Sequence, residues 1–153
     1  MILFVKKLEK KFKGLSTKRA QDLIFLGDIL KSRDHYAAAI LEYRKAKEKS
    51  TTHSPILFNK LAGTYIQTQK YDEAELLLKE SLEYYSDFHT TLNNLGEIYF
   101  ISERYDAAKK YLEKAARINP FNPFTHVRLI ELYGRMKMDK EKKLQTQQLS
   151  LLN

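Results

Sequence analysis

A set of small residues recurs along the chain at a nearly constant interval. Gly27, Ala62 and Gly96 are separated by 35 and then by 34 residues. A fixed period in this range is the sequence signature of a stacked array of helical units. Two further sets of small residues follow the same two steps: Ala39, Ala74 and Ala108, and Ala46, Ser81 and Ala115.

Each period contains two amphipathic segments, which predicts a pair of helices per unit. Apolar residues such as Leu23, Leu26 and Leu30 recur at spacings of three and four, as they do on one side of a helix. Ser54 before Pro55 is typical of a helix start. Helices of about 14 residues are marginal alone in water, so packing between neighbours must hold them.

The spacing of small and large residues indicates how the helices pack. We expect Gly27, Ala62 and Gly96 to let the first helix of a pair approach the second closely. The small Ala39, Ala74 and Ala108 would do the same from the second helix. Larger residues at fixed positions would fill the remaining gaps: Leu30, Tyr65, Tyr99 and Tyr133, then Tyr36, Tyr71 and Tyr105, and then Tyr43, Leu78 and Leu112.

Charge and cysteine content limit the classes of function. The chain of 153 residues has no cysteine, which fits a reducing compartment. Of its net charge of +8, residues 1–19 carry +6 and residues 135–143 carry +3, so the repeated body is close to neutral. A long apolar core of the kind found in secretory signals does not follow the first bases. We therefore expect a cytoplasmic protein.

The two ends of the chain differ from the repeats. Residues 1–15 are predicted to form a basic amphipathic helix. It could cover the open end of the array, lie on an anionic membrane surface through residues 1–13, or dock a partner. Residues 137–153 keep few apolar positions and are predicted to be a polar helix that closes the array.

The order Leu-Gly, Tyr, Ala and Ala within each period resembles the tetratricopeptide repeat. The resemblance covers about residues 20–136. It implies an all-α, right-handed superhelical solenoid of antiparallel helix pairs, with three full repeats, a degenerate fourth and a capping helix at each end. The array would span 16–136, in units 20–53, 55–88, 89–122 and 123–136, the last a first helix only.

In this family the first helices of each pair form a concave groove, so the resemblance implies a scaffold that binds a peptide segment of a partner protein there. Asparagine in the middle of a helix is unfavourable for the helix, yet it both donates to and accepts from a peptide backbone. The predicted groove residues are Asn59, Lys60, Gln67, Asn93, Asn94, Glu97, Phe100, Phe124 and Arg128.

A well-known groove of this family grips the C-terminal carboxylate of heat-shock chaperones with two asparagines and three basic residues. In the better of two alignments, Asn94 and Arg128 match two of those five places. Asn59, Gly63 and Phe124 occupy the other three, where lysine, asparagine and lysine would be needed. The sequence therefore favours a mixed polar and apolar peptide site over a carboxylate clamp, with Phe100 or Phe124 as the apolar anchor.

Other functions find little support in the sequence. The four histidines lie in turns, at helix starts or, for His126, in a core position, and none has metal-ligand spacing with a carboxylate. We predict no enzyme activity, no cofactor, no metal and no specific nucleic-acid binding. Self-association remains an alternative, through Ile2–Val5 or through Phe121 and Phe124 if these stay exposed.

Overall fold

The computed structural model describes residues 19–152, and every regular element in that range is a helix. The predictions for residues 1–15, including the capping and membrane-binding alternatives, lie outside this range. The helices are α1 (Ala20–Lys31), α2 (Tyr36–Lys49), α3 (Pro55–Gln67), α4 (Tyr71–Tyr84), α5 (His89–Ile101), α6 (Tyr105–Ile118), α7 (Pro123–Arg135) and α8 (Asp139–Ser150).

The same turn follows α1, α3, α5 and α7. In each case one residue that is not glycine adopts a left-handed backbone with φ of about 60°. In the first turn the Asp34 N–H donates to the Lys31 carbonyl and the His35 N–H donates to the Leu30 carbonyl. This hydrogen-bond pattern ends a helix and reverses the chain. The four left-handed residues repeat at 35, 34 and 34 residues: Asp34, Gln69, Glu103 and Lys137.

The chain forms two compact units, with the boundary between Leu77 and Leu78 inside α4. In the first unit α1 and α2 are antiparallel and α3 packs against α2. A Cβ atom at Gly27 would lie 2.5 Å from the ring of Tyr43, and both Tyr43 and Ala39 are fully buried. This contact confirms that the glycine permits the predicted close approach.

In the second unit α5 pairs with α6, and α7 packs against both α6 and α8. A Cβ atom at Gly96 would lie 2.5 Å from Cγ of Leu112, so this pair repeats the glycine contact of the first unit. Ala108 and Ala115 are fully buried, and Tyr99 stacks on Tyr111 with ring centroids 5.3 Å apart. None of the residues Asp139–Ser150 in α8 is buried.

Candidate functional site

Arg128 of α7 joins two helices of the second unit. Its Nη2 donates to Oε1 of Glu97 on α5 over 2.8 Å. Its Nε faces the other oxygen of the same carboxylate as an ion pair, without the alignment of a hydrogen bond. Nη1 donates to Oε2 of Glu131, one helical turn further along α7. Two carboxylates therefore hold one guanidinium in place.

Two aromatic rings complete the surroundings of this guanidinium. Its central carbon lies 4.8 Å from the ring centre of Phe100 and 5.8 Å from that of Phe124, within the range of cation–π attraction. Phe124 is 45% exposed, and Val127 beside it is 44% exposed. Asn94 lies one turn before Glu97 on α5. We call Asn94, Glu97, Phe100, Phe124 and Arg128 the α5–α7 face.

The electrostatics of this face centre on Glu97. Burial raises the pKa of its carboxyl above 4.5, and Glu131 raises it further, whereas Arg128 lowers it. The side chains of Glu97 and Arg128 are only 16% and 21% exposed, but that of Glu131 is 50% exposed. With one cation and two carboxylates, the group has a net charge of −1 when all three are ionised.

Asn93 is placed differently from the prediction. Its side chain is 4% exposed, and its oxygen accepts a hydrogen bond of 2.9 Å from the Thr125 hydroxyl, which is fully buried. Asn93 thus joins α5 to α7 instead of presenting its amide to a ligand. The prediction that it lines an open groove does not agree with this burial. Thr125, its hydrogen-bond partner, lies 32 positions after Asn93 in the sequence.

The three predicted residues on α3 belong to the first unit. Asn59 is 9% exposed, and its amide donates to the Pro55 carbonyl over 2.8 Å. The ammonium of Lys60 lies 2.8 Å from both carboxylate oxygens of Asp28 on α1. Gln67 is exposed and lines the same cavity as this ion pair. Lys60 and Gln67 therefore line a polar cavity, whereas the Asn59 amide makes a hydrogen bond within α3.

The sequence pattern did not predict the two ion pairs between helices. Asp28 pairs with Lys60 across 32 residues and Glu97 pairs with Arg128 across 31. A search for opposite charges separated by slightly less than one repeat would have found both. Tyr43 was assigned to the core, which is correct, but its hydroxyl also donates to Asp28 over 2.6 Å. Burial and this hydrogen bond raise the pKa of Tyr43.

His126 is buried, as its core position predicts, with 2% exposure. Its Nε2 lies 2.7 Å from the Pro120 carbonyl oxygen and its Nδ1 lies 2.6 Å from the Gln145 side chain. The ring thus connects α7 with α8 and with the preceding loop. Among residues 19–152 no three histidine, aspartate or glutamate side chains are grouped so that they could hold a metal ion. Within the same range no helix combines the length and apolarity needed to cross a membrane.

Two stretches of the chain match family models described as the tetratricopeptide repeat. They are residues 57–86, which include α3 and α4, and residues 89–122, which include α5 and α6. Among curated proteins, the chain is similar to the uncharacterized protein ycf37 of Guillardia theta. The two are 28% identical over 123 residues, which cover 78% of this chain and 69% of the relative.

Solved structures share the fold at low sequence identity. A crystal structure of MamA has a TM-score of 0.83 at 17% identity and covers 97% of this chain and 85% of its own. Pseudomonas aeruginosa PilF also has a TM-score of 0.83, at 19% identity, covering 97% of this chain and 66% of its own.

A third neighbour was solved with a ligand. The first TPR of Spaghetti (RPAP3) bound to the HSP90 peptide SRMEEVD has a TM-score of 0.73 at 20% identity, covering 80% of this chain and 96% of its own. Five observations indicate the same helical-repeat fold: the repeat period, the helix pairs, the recurring turns, the family models and the structural neighbours. Residues 57–86 and 89–122 are therefore tetratricopeptide repeats, and the chain has the helical-repeat fold of these solved structures, a fold that supports a role in protein–protein interaction.

Proposed function

We propose that this protein is a non-catalytic scaffold that binds an extended peptide segment of a partner protein on the α5–α7 face. The observation that carries the proposal is the position of Arg128, which two carboxylates and two aromatic rings hold in one place. Side chains that are already ordered lose less conformational entropy when a ligand binds. Such a surface is suited to recognition.

The contacts of Arg128 also indicate which ligands fit. A carboxylate clamp needs a cation that is available to the ligand, but this guanidinium already interacts with Glu97 and Glu131. An acidic C-terminus such as that of SRMEEVD would have to displace Glu131 and would meet a net negative charge. We therefore propose a segment with an apolar side chain, which contacts the exposed part of Phe124, and polar backbone groups, which pair with Asn94.

Replacing Phe124 by serine tests this proposal. Because 45% of Phe124 is exposed, we expect the variant to fold while losing its apolar contact with the ligand. Truncation of an aromatic anchor costs about 2 kcal/mol or more of binding free energy, which is roughly a thirtyfold loss of affinity. Quantitative pull-down with the full chain, followed by titration of the captured segment as a synthetic peptide, measures the loss.

Leu144→Ser is the matched control, because Leu144 is 53% exposed in the same unit but lies outside the α5–α7 face. Partners of this face should be depleted from Phe124→Ser and retained by Leu144→Ser. If both variants capture the same proteins in the same amounts as the wild type, the proposed site is wrong.

Self-association is a second candidate, and the exposure of Phe121 favours it. Phe121 is 76% exposed and, together with Pro120, Leu129, Leu151 and Leu152, lines an open and mainly apolar cavity of about 510 Å³ in the second unit. If copies of the chain meet here, Phe121→Ser should raise the dissociation constant of the dimer by about tenfold, from the loss of one exposed aromatic contact.

Sedimentation velocity over a concentration series measures this constant. Leu76→Ser, at a leucine that is 73% exposed on α4, provides the comparison. A wild-type chain that sediments as a monomer at every concentration would exclude this candidate and leave the peptide-binding proposal intact.

A further inference from the structure

The last helix pair departs from the packing of the earlier pairs. Two repeat positions that hold small residues in those pairs hold Ile130 on α7 and Lys142 on α8. The small residues are Gly27, Ala62 and Gly96 at the first position and Ala39, Ala74 and Ala108 at the second. The three alanines are fully buried, whereas Lys142 is exposed. The close approach of the earlier pairs is therefore absent at these two residues, and an open cavity of about 570 Å³ lies beside them.

This cavity is continuous with the α5–α7 face. Its lining residues are Phe100, Ile130, Glu131, Gly134, Arg135 and Lys142. Phe100 and Glu131 also contact Arg128 on the α5–α7 face. Lys142 lies across Gly134, because its Nζ is 3.6 Å from the place where a Cβ atom of that glycine would be. We call it the Arg135–Lys142 cavity.

The charge of the Arg135–Lys142 cavity is positive. Among residues 19–152, neither the Arg135 nor the Lys142 side chain has a hydrogen-bond or ion-pair partner. The carboxylate in the lining is that of Glu131, which already accepts from Arg128. The lining groups thus sum to +1, and residues 135–143 around them carry +3. An anion that enters the cavity would meet two cations without counter-charges of their own.

We infer that the Arg135–Lys142 cavity binds a phosphate group on a serine or threonine of the segment that occupies the α5–α7 face. This inference rests on the proposed function of that face. A phosphate monoester carries about −1.5 to −2 charges at pH 7 and has three strong acceptor oxygens. The Arg135 guanidinium can donate two parallel N–H groups to it, and the Lys142 ammonium adds a second charge. Two cations match this dianion better than they match a single carboxylate.

Helical spacing predicts where the phosphate lies within the segment. Phe124, Arg128, Glu131 and Arg135 follow one another at intervals of four, three and four residues, so they form one stripe on α7. Arg135 lies 11 positions after Phe124, which is about 16 Å along the helix. An extended segment spans that distance in about five residues. The apolar residue and the phosphorylated residue should therefore be about five positions apart.

Nuclear magnetic resonance with the full chain tests this inference. Synthetic peptides with amidated ends carry a phenylalanine and, five positions before or after it, a phosphoserine, a serine or a glutamate. The backbone amide signals of Gly134 and Lys142 report on the cavity, and that of Asn94 reports on the α5–α7 face. We expect one order of phosphopeptide to shift all three signals and to bind about tenfold more tightly than its serine and glutamate counterparts.

Other outcomes separate this inference from the proposed function. If the peptides shift the Asn94 signal but phosphate changes neither the cavity signals nor the affinity, the inference is overturned and the proposed function stands. If the phosphopeptide shifts the cavity signals without that of Asn94, the two sites do not share a segment and the inference is again overturned. Inorganic phosphate that binds as tightly as the phosphopeptide would overturn it as well.

Variants assign the phosphate contact to Lys142. Lys142→Ala restores the residue type of the earlier pairs, so we expect this variant to fold. It should weaken binding of the phosphopeptide by about tenfold and leave binding of the serine peptide unchanged. Lys143→Ala is the matched control, because Lys143 is exposed on the same helix and does not line the cavity. Equal losses from the two variants would indicate an effect of net charge alone and would overturn the inference.

Discussion

Replacing Gly96 by leucine is expected to lower the free energy of unfolding by about 3 kcal/mol, at the upper end of the usual cost of overpacking a core. The reason is the contact between α5 and α6. Even the first carbon of a side chain at this position would lie 2.5 Å from Cγ and 2.6 Å from Cδ2 of the fully buried Leu112. Leucine would therefore force the two helices apart. Chemical denaturation followed by circular dichroism measures the change.

Two alanine variants form a matched control for this prediction. Gly96→Ala gains about 1 kcal/mol of helix propensity, but the same close contact should outweigh the gain. At Gly63, in the middle of α3, a Cβ atom would meet only the end of Lys31 at 3.8 Å, so Gly63→Ala should be neutral or stabilising. Equal unfolding curves for Gly96→Leu and the wild type would show that α5 and α6 do not approach as described.

Replacing Arg128 by methionine is expected to lower the free energy of unfolding at pH 7 by about 1 to 3 kcal/mol, less than for a fully buried pair because both partners keep some exposure. Methionine retains apolar contact with Phe100 and Phe124 but leaves the Glu97 carboxylate, which is 16% exposed, without its counter-charge. Glu131→Gln is the control. That carboxylate is 50% exposed, so its loss should cost less than about 0.5 kcal/mol.

The deficit of Arg128→Met should depend on pH. The pKa of Glu97 is already raised above 4.5, mainly by burial, and removing Arg128 raises it further because Arg128 favours the charged form. A group whose pKa is raised on folding contributes its full stability at pH values below its pKa in the unfolded state. That contribution is lost as the pH rises through its pKa in the folded state. The difference between variant and wild type should therefore shrink as the pH falls from 7 toward 4.5. A constant difference would contradict this assignment.

The sequence predicted most of the fold because the same helix and packing signals, each weak by itself, recur in successive repeats. The pattern around Gly27 and Gly96 identified the helix pairs and the two close approaches. Prolines marked the starts of α3 and α7. The left-handed turn residues were not predicted, because Asp34, Gln69, Glu103 and Lys137 are not glycines and differ from each other.

The candidate site was predicted less completely. Helical spacing placed Glu97, Phe100, Phe124 and Arg128 on the faces of their helices but did not show that they meet. Their contacts depend on how far α7 is shifted along α5, which is a property of tertiary packing. The same shift places the Asn93 side chain against Thr125 and buries it. A single-sequence pattern shows the direction of a side chain and leaves open whether the next helix covers it.

The contacts of Arg128 distinguish this chain from a carboxylate clamp more clearly than residue identity does. Asn94 and Arg128 match two places of that clamp, but here the arginine binds Glu97 and Glu131 of its own chain. The structural neighbour bound to the peptide SRMEEVD shares the fold at 20% identity, which is too distant to transfer its ligand. We therefore base the ligand class on the charge and exposed apolar surface of this face.

Site-specific photo-crosslinking at position 124 tests the central claim most directly. A benzoylphenylalanine in place of Phe124 keeps an aromatic ring at the α5–α7 face and reacts with whatever binds there. The same amino acid in place of Leu76, which is 73% exposed on α4, serves as the reference. We predict that position 124 yields one recurrent peptide segment from a partner protein, identified by mass spectrometry, and that position 76 does not. Crosslinks that are equally diverse at both positions would contradict the proposal that this face binds a specific segment.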